Sequence, residues 1–297
     1  MKKIAMNLKL ILQNLQKTNT KDLKHLIVFF LATIAWTWAF FIPIAIFNLD
    51  WSSGIGLILF LAGGPAPSLM GIVMVFITFN PIQRQDYFNR CIEFQRVGWW
   101  LLFPIGFFTV LAIAGIAIDI AQGGALPGMA AMKTLAGNPL MIPVALFLYL
   151  WSGPLNEEFG WRGYALDPLL SNFGFVRGSV ILGVVWGIWH LPWCFMPGQV
   201  QQLGTFWLYI LSLIGLSLVI SLIYVKTRRS ILAAILMHFS SNFLMSQLLT
   251  PVSTQYETWR MVLLSAAGCV IAGYAIYKKE KILAGFMKDI KTCESLS

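Results

Sequence analysis

The stretch LGTFWLYILSLIGLSLVISLIYV, residues 203–225, contains 23 consecutive residues without a charged side chain. As a helix it is long enough to cross the roughly 30 Å hydrocarbon core of a bilayer. A spanning strand is excluded, because an open strand edge cannot exist in lipid and barrel strands would alternate apolar with polar residues. The stretch therefore predicts a transmembrane helix.

The composition of the whole chain extends this prediction. Hydrophobic residues make up 58% of the 297 residues, charged residues make up 11%, and the mean hydropathy is +0.74. A soluble domain carries about 25% charged residues, so these values exclude a soluble fold, intrinsic disorder, a disulfide scaffold and a nucleic-acid module. The four cysteines are scattered without paired spacing, and we expect them to be small apolar fillers.

Seven further charge-free stretches are also long enough to span a membrane. We therefore predict an all-α, polytopic membrane bundle of about eight transmembrane helices, with a single transmembrane domain over residues 26–277. The predicted spans are Leu26–Phe47, Gly54–Phe79, Val97–Ile118, Pro139–Leu155, Gly178–Pro197, Leu203–Val225, Ser230–Leu249 and Met261–Tyr277.

The basic residues between the spans predict the orientation. If the spans alternate in direction, 19 of the 21 Lys and Arg residues fall on one side, and only Lys133 and Arg260 fall on the other. The positive-inside rule then places both termini in the cytoplasm, which requires an even number of spans. We expect a multi-pass protein of a bacterial plasma membrane, whose net charge of +9 favours contact with anionic lipids and not with nucleic acid.

The two ends of the chain differ from the spans. Residues 1–25 place apolar side chains on one helical stripe with lysines outside it, which predicts an amphipathic helix lying on the membrane surface. The segment lacks the continuous apolar core and small-residue cleavage site of a signal peptide. Residues 278–297 form a basic cytoplasmic tail.

Several polar residues lie in or beside the apolar spans, where an ionisable group is functional by default. They are Glu157, Glu158, His190, His238 and Asn242. Each also has a structural interpretation, since an intramembrane histidine is often a hydrogen-bonded packing residue and an asparagine can join two helices. Two carboxylates, two histidines and an amide from three spans together favour a site that activates water for hydrolysis.

The predicted depths of these residues constrain the fourth span. This span runs toward the cytoplasm, so Glu157 and Glu158 are expected near its cytoplasmic end, whereas His190 and His238 are expected deeper. The depths overlap only if the span is oblique or bent, and Pro154 just before the carboxylates is a candidate for the bend.

Three motifs in this order carry a resemblance to a known family. They are Glu157-Glu158-x-x-x-Arg162, Trp186-x-x-x-His190 and His238-x-x-x-Asn242, within residues 152–243. The region resembles the CPBP family of intramembrane proteases, which includes CAAX prenyl endopeptidases and bacteriocin-processing and self-immunity enzymes. Many members carry Phe where this chain has Trp186.

The resemblance implies a role for each residue. Glu157 would activate a water that His190 helps to hold, and His238 with Asn242 would stabilise the oxyanion. Glu158 and Arg162 would support the site without contacting the substrate. The expected reaction is cleavage of a peptide or membrane-anchored protein near the cytoplasmic surface, by CAAX-type or bacteriocin and leader-peptide processing.

The sequence leaves alternatives for the cofactor and for the function. Glu157, His190 and His238 are a possible zinc ligand set, but no HExxH occurs and the general-base interpretation needs no metal, so we expect no required cofactor, with zinc as the alternative. A non-catalytic scaffold or immunity protein and, less favoured, a proton-coupled transporter are the competing functions. The sequence sets neither the substrate nor the oligomeric state.

Overall fold

The computed structural model of the protein describes residues 20–125, 130–197, 205–248 and 254–295. All regular elements within these ranges are helices, which confirms the predicted all-α fold. The α-helices are α1 (Thr20–Ile46), α2 (Gly54–Gly63), α3 (Ala66–Thr78), α4 (Pro81–Ile92), α5 (Phe94–Val97), α6 (Phe103–Ala121), α7 (Ala130–Gly137), α8 (Met141–Trp151), α9 (Pro154–Gly160), α10 (Leu166–Trp189), α11 (Phe206–Lys226), α12 (Ile231–Ser240), α13 (Thr254–Lys278) and α14 (Ala284–Ser295).

Short helical segments of other types connect these helices. Trp161–Ala165 joins α9 to α10, and Ser241–Leu248 continues α12; both are π-helical. The 3-10 segments are Gly98–Leu101, Leu191–Phe195 and Lys279–Leu283. Of the predicted amphipathic segment, residues 1–19 lie outside the described residues, and residues 20–25 belong to α1.

Six runs among the described residues are long and apolar enough to cross a membrane. They are Lys21–Ile46, Gly54–Thr78, Phe94–Ala121, Met141–Phe195, Phe206–Lys226 and Gln255–Lys278. The run Met141–Phe195 contains 55 residues, enough for two of the predicted spans, and a shorter apolar helix covers Ile231–Met245. The runs therefore fit the predicted polytopic bundle of about eight membrane helices.

The long run is divided differently from the prediction. The backbone leaves the helical conformation at Gly153 (φ −156°, ψ −71°) and again at Gly174 (φ +78°). The predicted span Pro139–Leu155 thus consists of α8 and the beginning of a second helix, which covers residues 154–173. Hydropathy misses this second helix because it carries two glutamates and an arginine in its first three turns.

Helix α11 is the most deeply buried of the long runs and packs between α10 and α13. Glycines allow the closest approach of these helices. A Cβ atom on Gly215 would lie 2.1 Å from the carbonyl oxygen of Leu264, and one on Gly268 would lie 2.3 Å from the Cα of Gly215. Small residues let membrane helices pack backbone to backbone, so α11 forms the centre of the bundle.

A second close approach holds α9 against α3. A Cβ on Gly160 would lie 2.0 Å from the carbonyl oxygen of Pro67, and one on Gly71 would lie 2.6 Å from the Cα of Gly160. The hydroxyl of Ser68 also donates to the carbonyl oxygen of Leu155 at 2.8 Å. Helix α3 therefore holds the segment that carries Glu157 and Glu158.

Buried charges join the helices at the basic side, the side that holds most Lys and Arg. Arg229 Nη2 lies 2.5 Å from Asp167 Oδ2 and its Nη1 lies 3.2 Å from Asp86 Oδ2. Arg90, fully buried on α4, pairs with Asp86 at 3.0 Å and donates to the hydroxyl of Tyr224 at 2.6 Å. We call these five residues the ionic cluster; it ties α4, α10, α11 and the turn before α12 together.

Candidate active site

Glu157 and Glu158 lie in the first turns of the helix that begins at Pro154. Pro is favoured at the first position of a helix because its missing N–H has no intrahelical partner there. Both glutamates are buried, with 5% and 0% exposure. The span predicted to end at Leu155 does not end beside them, because the chain restarts a helix at Pro154 that extends to residue 173.

Glu158 is the centre of a buried ion pair network. Its Oε1 atom accepts from Arg162 Nη1 at 2.7 Å and lies 2.8 Å from Nδ1 of His238. All three residues are 4% exposed or less. Arg162 therefore lies inside the bundle and is not one of the loop charges that set orientation. The predicted asymmetry then becomes 18 basic residues against two.

Glu157 has two oxygens in different surroundings. Its Oε2 accepts from the indole Nε1 of Trp186 at 2.5 Å and from that of Trp161 at 3.3 Å. Its Oε1 faces Gly153, at 3.5 Å from the position that a Cβ on this glycine would occupy. One oxygen is thus held by two donors, and the other points toward a space without a side chain.

The side of Gly153 that carries no side chain is bordered by atoms of α9, α12 and the π-helical segment after α12. The position that a Cβ on Gly153 would occupy lies 3.0 Å from Asn242 Nδ2, 3.4 Å from His238 Nε2 and 3.5 Å from Glu157 Oε1. These three atoms therefore lie close to one another. We call the space between them the Gly153 gap. A carboxylate, an imidazole and an amide border this gap together.

Asn242 and His238 reach the gap from the end of α12. His238 is in the last turn of the helix, and Asn242 lies in the π-helical segment that follows. The two residues therefore lie on a common face, as predicted, although the helix changes from the α to the π hydrogen-bonding pattern between them. Wide helical turns of this kind are frequent at functional sites.

His190 lies at the end of α10 among aromatic rings. Its Nδ1 is 2.9 Å from the carbonyl oxygen of Trp186, an acceptor, so Nδ1 carries the proton and Nε2 is the acceptor in the neutral ring. The rings of Trp189, Trp193 and Tyr209 lie 4.6, 4.9 and 5.4 Å from it, centre to centre. The ring of Trp186 lies 6.2 Å from that of His190 and 5.2 Å from that of His238, centre to centre.

The alternative zinc set can be compared with this geometry. In the described part of the chain, no three His, Cys, Asp or Glu side chains are grouped closely enough to hold a metal ion. Glu157, His190 and His238 therefore do not fit a preformed zinc site.

Two residues of the site were not singled out by the sequence. Trp161 follows Glu157 by four residues, and this helical spacing could have identified it as a neighbour on the same face. Gly153 precedes a proline, a pattern that predicts a break in the chain but not the gap beside it. Of the predicted residues, Glu157, His238 and Asn242 meet at the gap. Glu158 and Arg162 join them through His238, and His190 contacts the carbonyl oxygen of Trp186.

Two comparisons with known proteins bear on this site. Residues 139–244 match the model of the family described as "Type II CAAX prenyl endopeptidase Rce1-like". The chain is also 28% identical over 224 residues to the "CAAX prenyl protease 2" of Methanococcus maripaludis. That alignment covers 72% of this chain and 82% of the relative.

The matched region contains all three motifs and every residue around the Gly153 gap. The two similarities confirm the resemblance predicted from the motifs. They also confirm that the chain is a membrane-embedded peptidase, a multi-pass membrane protein that acts on a peptide or protein substrate.

Proposed function

We propose that this membrane peptidase hydrolyses a peptide bond in the Gly153 gap, with a water molecule activated by Glu157. The observation that supports the proposal is the closeness of Glu157 Oε1, His238 Nε2 and Asn242 Nδ2, which all lie within 3.5 Å of the Cβ position of Gly153. A hydrolytic site needs a base and hydrogen-bond donors close to the reacting atoms. The groups around the gap offer both, from α9 and from α12 with its π-helical continuation.

Glu157 is the proposed general base. Because two indole N–H groups occupy Oε2, Oε1 is the oxygen that accepts the proton of the water. The carboxylic acid that results can return this proton to the nitrogen of the leaving amine when the tetrahedral intermediate collapses. We assign Glu158 a supporting role, because its Oε1 is bonded to both Arg162 and His238 and its Oε2 is buried without a hydrogen-bond partner.

His238 and Asn242 are the proposed donors to the oxyanion. The amide nitrogen of Asn242 carries hydrogens in any state, whereas Nε2 of His238 donates only when the ring is doubly protonated. The carboxylate of Glu158, 2.8 Å from Nδ1, stabilises that charged ring and fixes its orientation. Donors held in place before the reaction stabilise developing negative charge most effectively.

His190 is the proposed contact to the water or to the substrate backbone. Its Nδ1 is held by the carbonyl of Trp186, which leaves Nε2 as an acceptor. We further propose that no resident metal takes part, because Glu157, His190 and His238 are not grouped closely enough to hold a metal ion and Glu157 can act as the base without one.

The proposed substrate is a peptide that ends in a prenylated CAAX sequence, a lipid-anchored cysteine followed by three residues. The name of the relative from Methanococcus maripaludis supports this class. Other membrane-anchored peptides, including bacteriocin leader peptides, are the alternative. From the loop charges we place the reaction on the cytoplasmic side of the membrane, and the bacterial plasma membrane stays our prediction.

The proposal is tested with purified protein in detergent or lipid nanodiscs. A peptide ending in farnesyl-Cys-a-a-X is incubated with the wild type and with Glu157→Gln, and products are identified by mass spectrometry. We expect cleavage of the farnesylated peptide by the wild type alone. The same peptide without the lipid is the matched substrate control.

Two outcomes would contradict parts of the proposal. Equal cleavage by Glu157→Gln would exclude Glu157 as the base. Cleavage of neither peptide, with a fragment found instead in membranes of cells that carry the wild type but not Glu157→Gln, would reject the prenylated substrate and identify another.

A further inference from the structure

Trp186 connects the groups of the candidate site. It lies on α10 with 1% of its surface exposed. Its indole N–H donates to Glu157, its ring lies under the guanidinium of Arg162 at 4.5 Å, and its carbonyl oxygen faces His190 Nδ1 at 2.9 Å. The edge-to-face contact with His238 has a centre distance of 5.2 Å.

The hydrogen bond to Glu157 has a specific geometric consequence. At 2.5 Å between Nε1 and Oε2 it is the shorter of the two indole contacts to that oxygen. A carboxylate can rotate about its last torsion, because this type of torsion has a broad energy minimum. A donor fixed on one oxygen stops the rotation and directs the other oxygen, Oε1, into the Gly153 gap.

We propose that Trp186 is a positioning residue of the reaction, which acts through its indole N–H by orienting the carboxylate of Glu157 toward the water. The inference rests on the proposed role of Glu157 as the general base. Trp186 itself does not contact the substrate or the reacting atoms. The ring packs between Arg162 and His238, and this packing is separate from the effect of the N–H group.

The test separates the N–H group from the ring. Trp186→Phe removes the donor but keeps an aromatic side chain against Arg162 and His238. Because a hydrogen bond to a charged group is lost, we expect kcat to fall about tenfold, while KM stays within about twofold. Trp161→Phe removes the longer contact to the same oxygen, and we expect a loss of less than about threefold.

Trp189→Phe is the matched control. Trp189 lies on the same helix, is equally buried, and donates its indole N–H to the hydroxyl of Thr37 at 2.8 Å and not to a carboxylate. Loss of this donor is expected to lower thermal stability without a tenfold loss of kcat. Activities are normalised to the monodisperse protein recovered from size-exclusion chromatography.

A second replacement keeps the test valid if Trp186→Phe does not fold. Benzothienylalanine at position 186 replaces the N–H group by sulfur and preserves the shape of the bicyclic ring, so only the donor is lost. The same tenfold loss of kcat is expected. Unchanged kcat in the folded benzothienyl variant, or a loss that arises from KM, would overturn the positioning role.

The outcomes also distinguish this inference from the proposed function. If Glu157→Gln is inactive while the donor-deleted variants keep full kcat, only the role of Trp186 is wrong. If Glu157→Gln keeps full activity, the role of Glu157 is wrong and the positioning role is overturned with it.

Discussion

Nδ1 of His238 lies 2.8 Å from Oε1 of Glu158, although the two residues are 80 positions apart in the sequence. The ionic pair between Asp167 and Arg229 explains how they meet. Glu158 lies nine residues before Asp167, and His238 lies nine residues after Arg229. The first stretch is helical with a π-helical segment at Trp161–Ala165, and the second is helical from Ile231 on. The pair at the basic side therefore joins the two segments at the same number of residues from the site, and we infer that it sets their register.

Glu158 does not lie at the end of the span that the sequence predicted. It belongs to the helix of residues 154–173 and not to the end of α8. This helix also carries Asp167 of the ionic cluster, and Arg229 of that cluster precedes α12, which carries His238. The break at Gly153, and not a bend in one long span, places the carboxylates on this helix.

The first prediction concerns the two adjacent glutamates. Glu157→Gln keeps the shape of the side chain but removes its basicity, so we expect turnover to fall by at least about 10²-fold with the folded protein retained. Glu158→Gln leaves Arg162 and His238 with a neutral partner inside the bundle, and we expect loss of thermal stability as well as activity. Turnover and the unfolding midpoint in detergent are measured for both. Equal stability and equal activity of the two variants would contradict the division of roles.

The second prediction concerns the space at Gly153. A methyl group introduced by Gly153→Ala would lie 3.0 Å from Asn242 Nδ2 and 3.4 Å from His238 Nε2, where the reacting groups are proposed to bind. We expect turnover to fall by roughly 10²-fold, the effect of losing an oxyanion site. Gly106→Ala is the control, since no heavy atom lies within 4 Å of its Cβ position. A fully active Gly153→Ala enzyme would show that the reaction takes place elsewhere.

The third prediction concerns the ionic cluster. Arg229→Met leaves the buried carboxylate of Asp167 without its closest cation, and breaking such a pair costs about 3–5 kcal/mol. We therefore expect a marked drop in the unfolding midpoint, with activity lost as the register of the site loosens. Arg260→Met, which removes the more exposed pair with Glu257, is expected to cost no more than about 1 kcal/mol. Similar midpoints for the two variants would contradict this role of the cluster.

The fourth prediction concerns metal. Purified protein treated with EDTA and 1,10-phenanthroline is expected to cleave its substrate at the original rate. Elemental analysis should find no zinc in proportion to the protein. One zinc per chain, with activity that follows its removal and return, would reverse the proposal on the cofactor. It would leave the peptidase assignment unchanged.

The fifth prediction concerns orientation. A reporter fused after Ser297 is expected on the cytoplasmic side, because 18 basic residues lie on the basic side after Arg162 is set aside. A reporter inserted beside Lys133 is expected on the opposite side and is the internal control. Labelling of the fused end from outside the cell would overturn the predicted topology.

The sequence by itself determined the environment of the protein and the chemistry available to it. Long charge-free stretches require helices in a bilayer, because lipid offers no partners for backbone groups. The three motifs supplied the carboxylates, imidazoles and amide, since a side chain's chemistry is a property of the residue alone. The spacing of His238 and Asn242 also predicted their common face, because neighbours four apart share a helix surface.

Only the tertiary structure decided how these groups are arranged. Hydropathy averages over a window, so it could not show that the chain breaks at Gly153 and begins a helix that carries Arg162 into the bundle. The hydrogen bond from Trp186 to Glu157 joins residues 29 positions apart, and the gap at Gly153 is a space between three segments. Such contacts depend on the register and the closeness of packed helices. Side-chain interlocking and the ionic cluster set this packing, and local sequence patterns do not encode it.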